Sequence, residues 1–192
     1  MAVNLSKGQK ISLDKGMTLA LVGLGWDTNR YSGGAEFDLD ASAFLLGANG
    51  KVRKDFIFYG NLKSADGSVT HTGDNRTGEG EGDDEVLYID FTKVPADVER
   101  IAITVTIYEA QERGQNFGQV SNAYVRLARR SSENDSVGTE ELRYDLGEDF
   151  SVETALVVCE LYRSGATWKF NAVGAGYQGG LYALCKAYGV NV

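Results

Sequence analysis

Two carboxylate-rich segments are where this sequence could do chemistry. In residues 36–45, Phe37, Leu39, Ala41, Ala43 and Leu45 alternate with Glu36, Asp38, Asp40 and Ser42. That period of two predicts a half-buried strand with a carboxylate-bearing outer face. Alternate side chains on one face stand about 7 Å apart. Asp38 and Asp40 therefore project side by side, with Ser42 behind them. Residues 66–85 mix carboxylates, the Asn75 amide and the Thr77 hydroxyl with five glycines. Glycine lets backbone turn sharply and present its own carbonyls. Oxygen donors in such numbers suit Ca²⁺, which takes about six to eight oxygens at about 2.3–2.6 Å, whereas Mg²⁺ keeps more water. The lack of neighbouring His or Cys disfavours zinc and copper. The competing reading is a solvated acidic loop, which is what most charge runs are. An EF-hand is excluded: Asp74 to Glu85 has its length, but Arg76, Gly78 and Glu79 occupy positions 3, 5 and 6.

The formal charge sharpens the choice. The chain has 192 residues and a net charge of −8, from 27 acids against 19 bases. Residues 66–85 carry −6 and residues 27–40 carry −3, so the remainder sums to +1. The acidity is local, and it excludes a nucleic-acid partner, which needs a basic face. The most apolar stretch, residues 17–26, is too short to span a bilayer, so no direct membrane insertion is expected. The opening MAVNLSKGQK has no apolar signal-peptide region, and the expected compartment is cytoplasmic.

The elements that must position these acids are mostly strands. Period-two patterns mark residues 19–26, 55–59, 86–91, 101–108, 123–128 and 141–146. Residues 154–162 and 167–173 read as a hairpin joined by Arg-Ser-Gly-Ala. In its first strand Ala155, Val157, Cys159 and Leu161 share one face. Leu181, Leu184, Cys185 and Tyr188 recur at helical spacing with Gly189 as a stop, and residues 110–117 hold a weaker helical turn. The fold class is all-β: an antiparallel β-sandwich of two packed sheets with a short C-terminal helix, in a single domain over residues 1–192.

Other chemistry is thinner. Cys159 and Cys185 read as buried, reduced thiols. His71, the sole histidine, is read as a surface strand residue. Gly174-Ala-Gly176-Tyr-Gln-Gly179 matches a dinucleotide fingerprint but lacks the βαβ context, so its glycines are read as turning the chain from strand to helix.

Several segments together resemble the TerD family of tellurium-resistance and stress-response proteins. They are Gly23-Leu24-Gly25-Trp26-Asp27, residues 37–43 (FDLDASA), and Gly73-Asp74-Asn75-Arg76-Thr77-Gly78-Glu79-Gly80 followed by Gly82-Asp83-Asp84-Glu85. Leu5-Ser6-Lys7-Gly8, Phe56-Ile57-Phe58-Tyr59 and residues 172–181 extend the likeness over nearly the whole chain. The resemblance implies a cytoplasmic β-sandwich that binds calcium at acidic loops and has no established catalytic activity. It also implies a stress-response system whose other proteins, including a membrane-embedded one, are its partners. Carried over by position, the metal ligands are Asp27, Asp38, Asp40, Asp74, Asn75, Asp83, Asp84 and Glu85, with Asp66, Thr77 and Glu79 as second choices and Trp26 packing beside them. They would hold one or two Ca²⁺. The alternatives are an enzyme, either a metal-assisted hydrolase or a thiol-dependent oxyanion reductase, and a small-molecule or nucleotide sensor.

Overall fold

The computed structural model describes residues 2–28, 34–79, 82–146 and 150–191. Residues 29–33 and 80–81, which include Gly80 and Glu81 of the acidic segments, lie outside the described residues. In chain order the strands begin with β1 (Val3–Asn4), β2 (Lys10–Ser12), β3 (Leu19–Gly25), β4 (Leu39–Leu46), β5 (Val52–Ile57) and β6 (Val69–His71). They continue with β7 (Glu85–Asp90), β8 (Arg100–Ile107), β9 (Tyr124–Arg129), β10 (Thr139–Asp145), β11 (Ala155–Ser164) and β12 (Thr167–Tyr177). A single helical turn, α1 (Ala110–Arg113), follows β8, and α2 (Gly180–Tyr188) follows β12. None of the described helices is long and apolar enough to cross a membrane.

The sandwich expected from the alternating patterns is the one that forms. One sheet has the order β1-β10-β9-β3-β7-β6 and the other β2-β12-β11-β8-β4-β5. All pairings are antiparallel except β1 with β10 at one edge. The main core lies between the sheets, where Leu39, Ala41, Ala43 and Leu45 of β4 meet Val22, Leu24, Leu87 and Ile89. A second apolar cluster, Phe44, Leu46, Phe56, Ala102, Ala155, Val157, Leu184 and Cys185, packs apart from it with α2.

That second cluster corrects two expectations. The even-numbered face of β4 is not solvent-facing: Asp38 and Asp40 are each 4% exposed and Ser42 is fully buried. The strand alternates as expected, but α2 and a run of stacked rings cover its other face. Phe44, Phe56 and Phe58 stack at centroid spacings of 4.3 and 4.4 Å, and Tyr188 of α2 lies tilted against Phe44 at 4.7 Å. The second correction concerns β11. A bulge between Val157 and Cys159 slips the register against both neighbours. Ala155 and Val157 therefore join the α2 cluster, whereas Cys159 and Leu161 enter the main core. One extra residue switches the face of everything beyond it.

The glycines before α2 also behave differently from expectation. Gly174 and Gly176 lie inside β12, where an added Cβ would meet the Tyr144 hydroxyl at 2.5 Å or the Glu153 side chain at 2.4 Å. Only Gly179 and Gly180, both at positive φ, make the turn into the helix.

Candidate metal centre

The register of β4 and the return of the chain from β6 to β7 build the acidic site. β4 supplies Asp38, just before its first residue, and Asp40. The 72–84 connection supplies Asp74. Oxygens of Asp38, Asp40 and Asp74 lie within 4.8 Å of one another. Asp38 and Asp40 are buried, and Asp74 is exposed.

Asp38 and Asp40, both buried, resist ionisation. Burial raises the Asp40 carboxyl to about 8, with the charges of Glu85, Asp38 and Asp74 adding to the effect. Burial and then Asp74 raise Asp38, against the opposing charges of Arg113 and Arg76. The Arg76 guanidinium is mostly exposed and stands 3.7 Å from Asp38 Oδ2, so it screens this charge only weakly. Asp38 Oδ1 is buried with no hydrogen-bond partner among the described residues. Orphaned buried acceptors are uncommon and call for an explanation such as an ion. An all-oxygen donor set with an unpaired buried carboxylate oxygen fits a hard divalent cation.

Glu85, at the start of β7, is placed differently. It is 1% exposed and crosses from the facing sheet. β5 pairs with β4 only from Ala43 onward, and the Ala41 amide donates instead to Glu85 Oε2 at 2.7 Å. The Asn75 amide donates to Glu85 Oε1 at 3.3 Å. His71 Nε2 lies 3.3 Å from Glu85 Oε2, with both side chains fully buried. The Gly73 amide donates to His71 Nδ1 at 3.1 Å, so the ring proton sits on Nε2 and faces Glu85. Burial raises the Glu85 carboxyl, and the hydrogen bonds from His71, Ala41 and Asn75 oppose that rise.

His71 is thus a buried partner of Glu85 and not a surface residue. Its signal was its parity with Val69: the two lie on the same, core-facing side of a three-residue strand. Sequence reasoning overlooked the pair because the partner is fourteen positions away, at the end of an acidic run.

The other acids hold the surroundings together. Asp83 receives the Arg126 guanidinium through two nitrogens, at 2.6 and 2.8 Å, and the Tyr124 hydroxyl at 3.2 Å. It packs over Gly23, where an added Cβ would meet its carboxylate at 2.2 Å. Asp84 accepts the Trp26 amide at 2.9 Å and the Asn75 side-chain amide at 3.0 Å. Burial raises Asp84, the Trp26 amide opposes this, and Asp83 and Asp27 add to it. Asn75 Oδ1 accepts the Thr77 and Gly78 amides at 3.2 and 3.1 Å, closing a tight turn. The Thr77 hydroxyl accepts the Glu79 amide at 3.3 Å.

Gly78, at φ +71, lies against the Trp26 indole, where a Cβ would come within 2.4 Å of Nε1. That indole nitrogen donates to the Phe37 carbonyl at 3.1 Å, beside Asp38. Asp27 accepts the Asn122 side-chain amide at 2.8 Å. Asp66 accepts the Ser64 hydroxyl and the Ser68 amide at 2.9 and 2.7 Å in the turn before β6. The structure therefore brings Asp38, Asp40 and Asp74 together, with Glu85 directly behind them. It places Asp83, Asp84, Asn75, Thr77 and Glu79 in the scaffold of the same loop, and Asp27 and Asp66 outside the triad.

The whole pattern has relatives. The TerD domain model matches residues 1–188. The chain belongs to the TerD family. The tellurium resistance protein TerD of Alcaligenes sp is 61% identical over 196 residues, covering 100% of this chain and 99% of that protein. General stress protein 16U of Bacillus subtilis is 52% identical over 197 residues, covering 100% of both. A crystal structure of a TerD homologue from Streptomyces coelicolor superposes with a TM-score of 0.71 at 22% identity, covering 88% of this chain and 95% of that one. It shows the TerD-family fold.

Proposed function

We propose that this TerD-family chain is a tellurium-resistance and stress-response protein that works by binding calcium, not by catalysis, in the cytoplasm. Asp38, Asp40 and Asp74 would hold the ion, and the acidic end of the sandwich would dock other proteins of the stress system, including a membrane-embedded one. The observation that carries this reading is the clustering of the three carboxylates within 4.8 Å, one of which, Asp38, also has a buried oxygen with no hydrogen-bond partner among the described residues. A bound Ca²⁺ would supply positive charge and six to eight coordination positions. The chain's own part is to hold the carboxylates in place. Glu85 clasps the amide after Asp40 and the amide after Asp74, so one buried side chain sets the spacing between strand and loop. Such outer partners orient ligands and support affinity. Glu85 is accordingly assigned to positioning, and a second ion would draw on Asp27 and Asp84.

Calorimetric titration tests this reading. Wild-type protein should bind Ca²⁺ saturably. Asp74→Asn, at an exposed position, should fold normally and bind at least about tenfold more weakly, a loss of about 1.4 kcal/mol. Equal isotherms for the two proteins would move the site elsewhere.

The thiol-reductase alternative lacks an accessible nucleophile among the described residues. Cys159 is fully buried in the main core, and burial pushes its thiol far above the ordinary range. Cys185 is on the buried face of α2, and burial raises it as well. Only an accessible thiolate reacts quickly. Ellman's reagent should leave both thiols of the native protein unlabelled over minutes and label both in denaturant. Rapid labelling of either in the native state would reopen the reductase reading.

A further inference from the structure

Beside the acidic triad the surface opens into a groove of about 840 Å³. Asp40 and Thr106 lie on its floor. The α1 turn with Glu109 and Glu112 makes one wall, and the start of α2 with Tyr182 makes the other. Tyr59 and Tyr108 line it as well, their rings edge-on at 6.2 Å. This volume lies within the range of about 300–1,000 Å³ usual for ligand sites. Tyr182 is 63% exposed, Val152 at the groove's edge is 56% exposed and Tyr59 is 40% exposed, an unusual amount of open apolar surface in one place. Glu109 holds a left-handed backbone at φ +48 without being glycine. Strain of that kind gathers where a surface is shaped for binding.

The charge on the lining has one sign. Glu109 and Glu112 line the groove with Asp40 at its base, and among the described residues no lysine or arginine does. Arg113, adjacent to it, is drawn against Tyr108 at 5.6 Å and toward Glu109 at 3.9 Å. The same pairing of guanidinium with ring recurs at Arg130 on Tyr88, Arg143 on Tyr124 and Arg163 on Trp168, at 3.7, 3.7 and 4.6 Å. Tyrosine faces flanked by carboxylates favour a flat, weakly hydrated cation over an ammonium ion. A divalent ion on Asp38, Asp40 and Asp74 would leave that cluster at −1, so the preference for a cation persists.

We infer that this groove is the docking site for an arginine-bearing segment of a partner protein, the guanidinium seating between Tyr182 and Tyr59 with Glu109 and Glu112 as its counter-charges. The inference deepens the docking half of the proposed function and does not depend on the calcium half.

Fluorescence anisotropy with a labelled peptide, acetyl-Gly-Arg-Gly-Arg-Gly-amide, tests it, alongside the Lys and Glu versions, in calcium and in chelator. The Arg peptide should bind more tightly than the Lys peptide, and the Glu peptide should not bind. Tyr182→Ala keeps the net charge and alters an exposed side chain, so the fold should survive. It should weaken the Arg peptide by roughly two- to thirtyfold, the range for losing one cation–π contact. Glu112→Gln should weaken it too, and Glu133→Gln, outside the groove, should not. Calcium titration of Tyr182→Ala should match wild type, which separates failure of this site from failure of the metal reading. Equal binding of the Arg and Lys peptides, an unchanged Tyr182→Ala, or equal losses from Glu112→Gln and Glu133→Gln would overturn the proposal. Spermidine competing as well as the Arg peptide would do the same.

Discussion

Removing calcium with a chelator should lower the melting temperature by about 5–10 °C at pH 8. Ligand at about 100-fold over Kd adds roughly 2.7 kcal/mol to the folded state. In a chain of this length, each kcal/mol moves Tm by about 2–4 °C. The size of the shift should depend on pH, and the sign follows from Asp40. Its carboxyl rises on folding from 3.8 to about 8, chiefly through burial. Between those values the folded state binds more protons than the unfolded chain, so without the ion stability falls as pH rises from about 4 to about 8. Asp38 shifts in the same direction. A cation favours the ionised carboxylates and offsets that loss. Protons compete with the ion for the same oxygens, so affinity also weakens in acid. The gap between calcium and chelator melting curves should therefore be widest near pH 8 and nearly closed at pH 5. A gap that is absent at pH 8, or that widens in acid, would contradict the assignment of the triad.

Glu85→Ala should cost about 3–5 kcal/mol of stability, because it takes the shared acceptor from several buried donors at once. The loss has named parts. The Ala41 and Asn75 amides and His71 Nε2 all face this carboxylate in a water-excluded position. Each donor left without an acceptor costs about 1–3 kcal/mol. Relief of the repulsion that Glu85 exerts on Asp40 offsets only part of this. Glu85→Gln should fall in between, since one amide oxygen replaces two acceptors and the new NH₂ faces other donors. Urea denaturation reads the stability change as a shift in midpoint. Calcium affinity of Glu85→Gln should drop as well, because Asp40 and Asp74 each precede an amide that Glu85 holds. If Glu85→Gln keeps full calcium affinity while losing stability, Glu85 supports the fold without positioning the site.

The sandwich was legible because β4, β8 and their neighbours carry clean period-two patterns, and the acidic windows were legible as charge. What escaped were features decided by packing between distant segments. The even-numbered face of β4 turned out buried because α2 and the Phe44–Phe56–Phe58 stack cover it, and alternation alone cannot say what lies on the far side of a sheet. The bulge at Val157 reassigns Cys159 to the other face while leaving the composition of the strand unchanged. β1 and β2, two and three residues long, are too short to show any period. Within the run Asp83-Asp84-Glu85, three adjacent acids meet Arg126, the Trp26 amide and His71 respectively. Their different roles depend on partners 43, 58 and 14 residues away in the chain, which a single sequence does not pair.

The most direct measurement is a calcium titration of Asp40→Asn by calorimetry, paired with its melting temperature in chelator. Asp40 is both the most strongly shifted carboxylate of the triad and a proposed ligand, so the substitution should separate stability from binding. Asn cannot ionise, so near pH 8, where Asp40 begins to carry charge, the variant lacks that repulsion and without the ion should melt at or above the wild-type temperature. Its calcium affinity should fall by at least about tenfold, or about 1.4 kcal/mol. A variant that melts lower in chelator and still binds calcium like wild type would show that Asp40 belongs to the scaffold and that the triad is not the metal site.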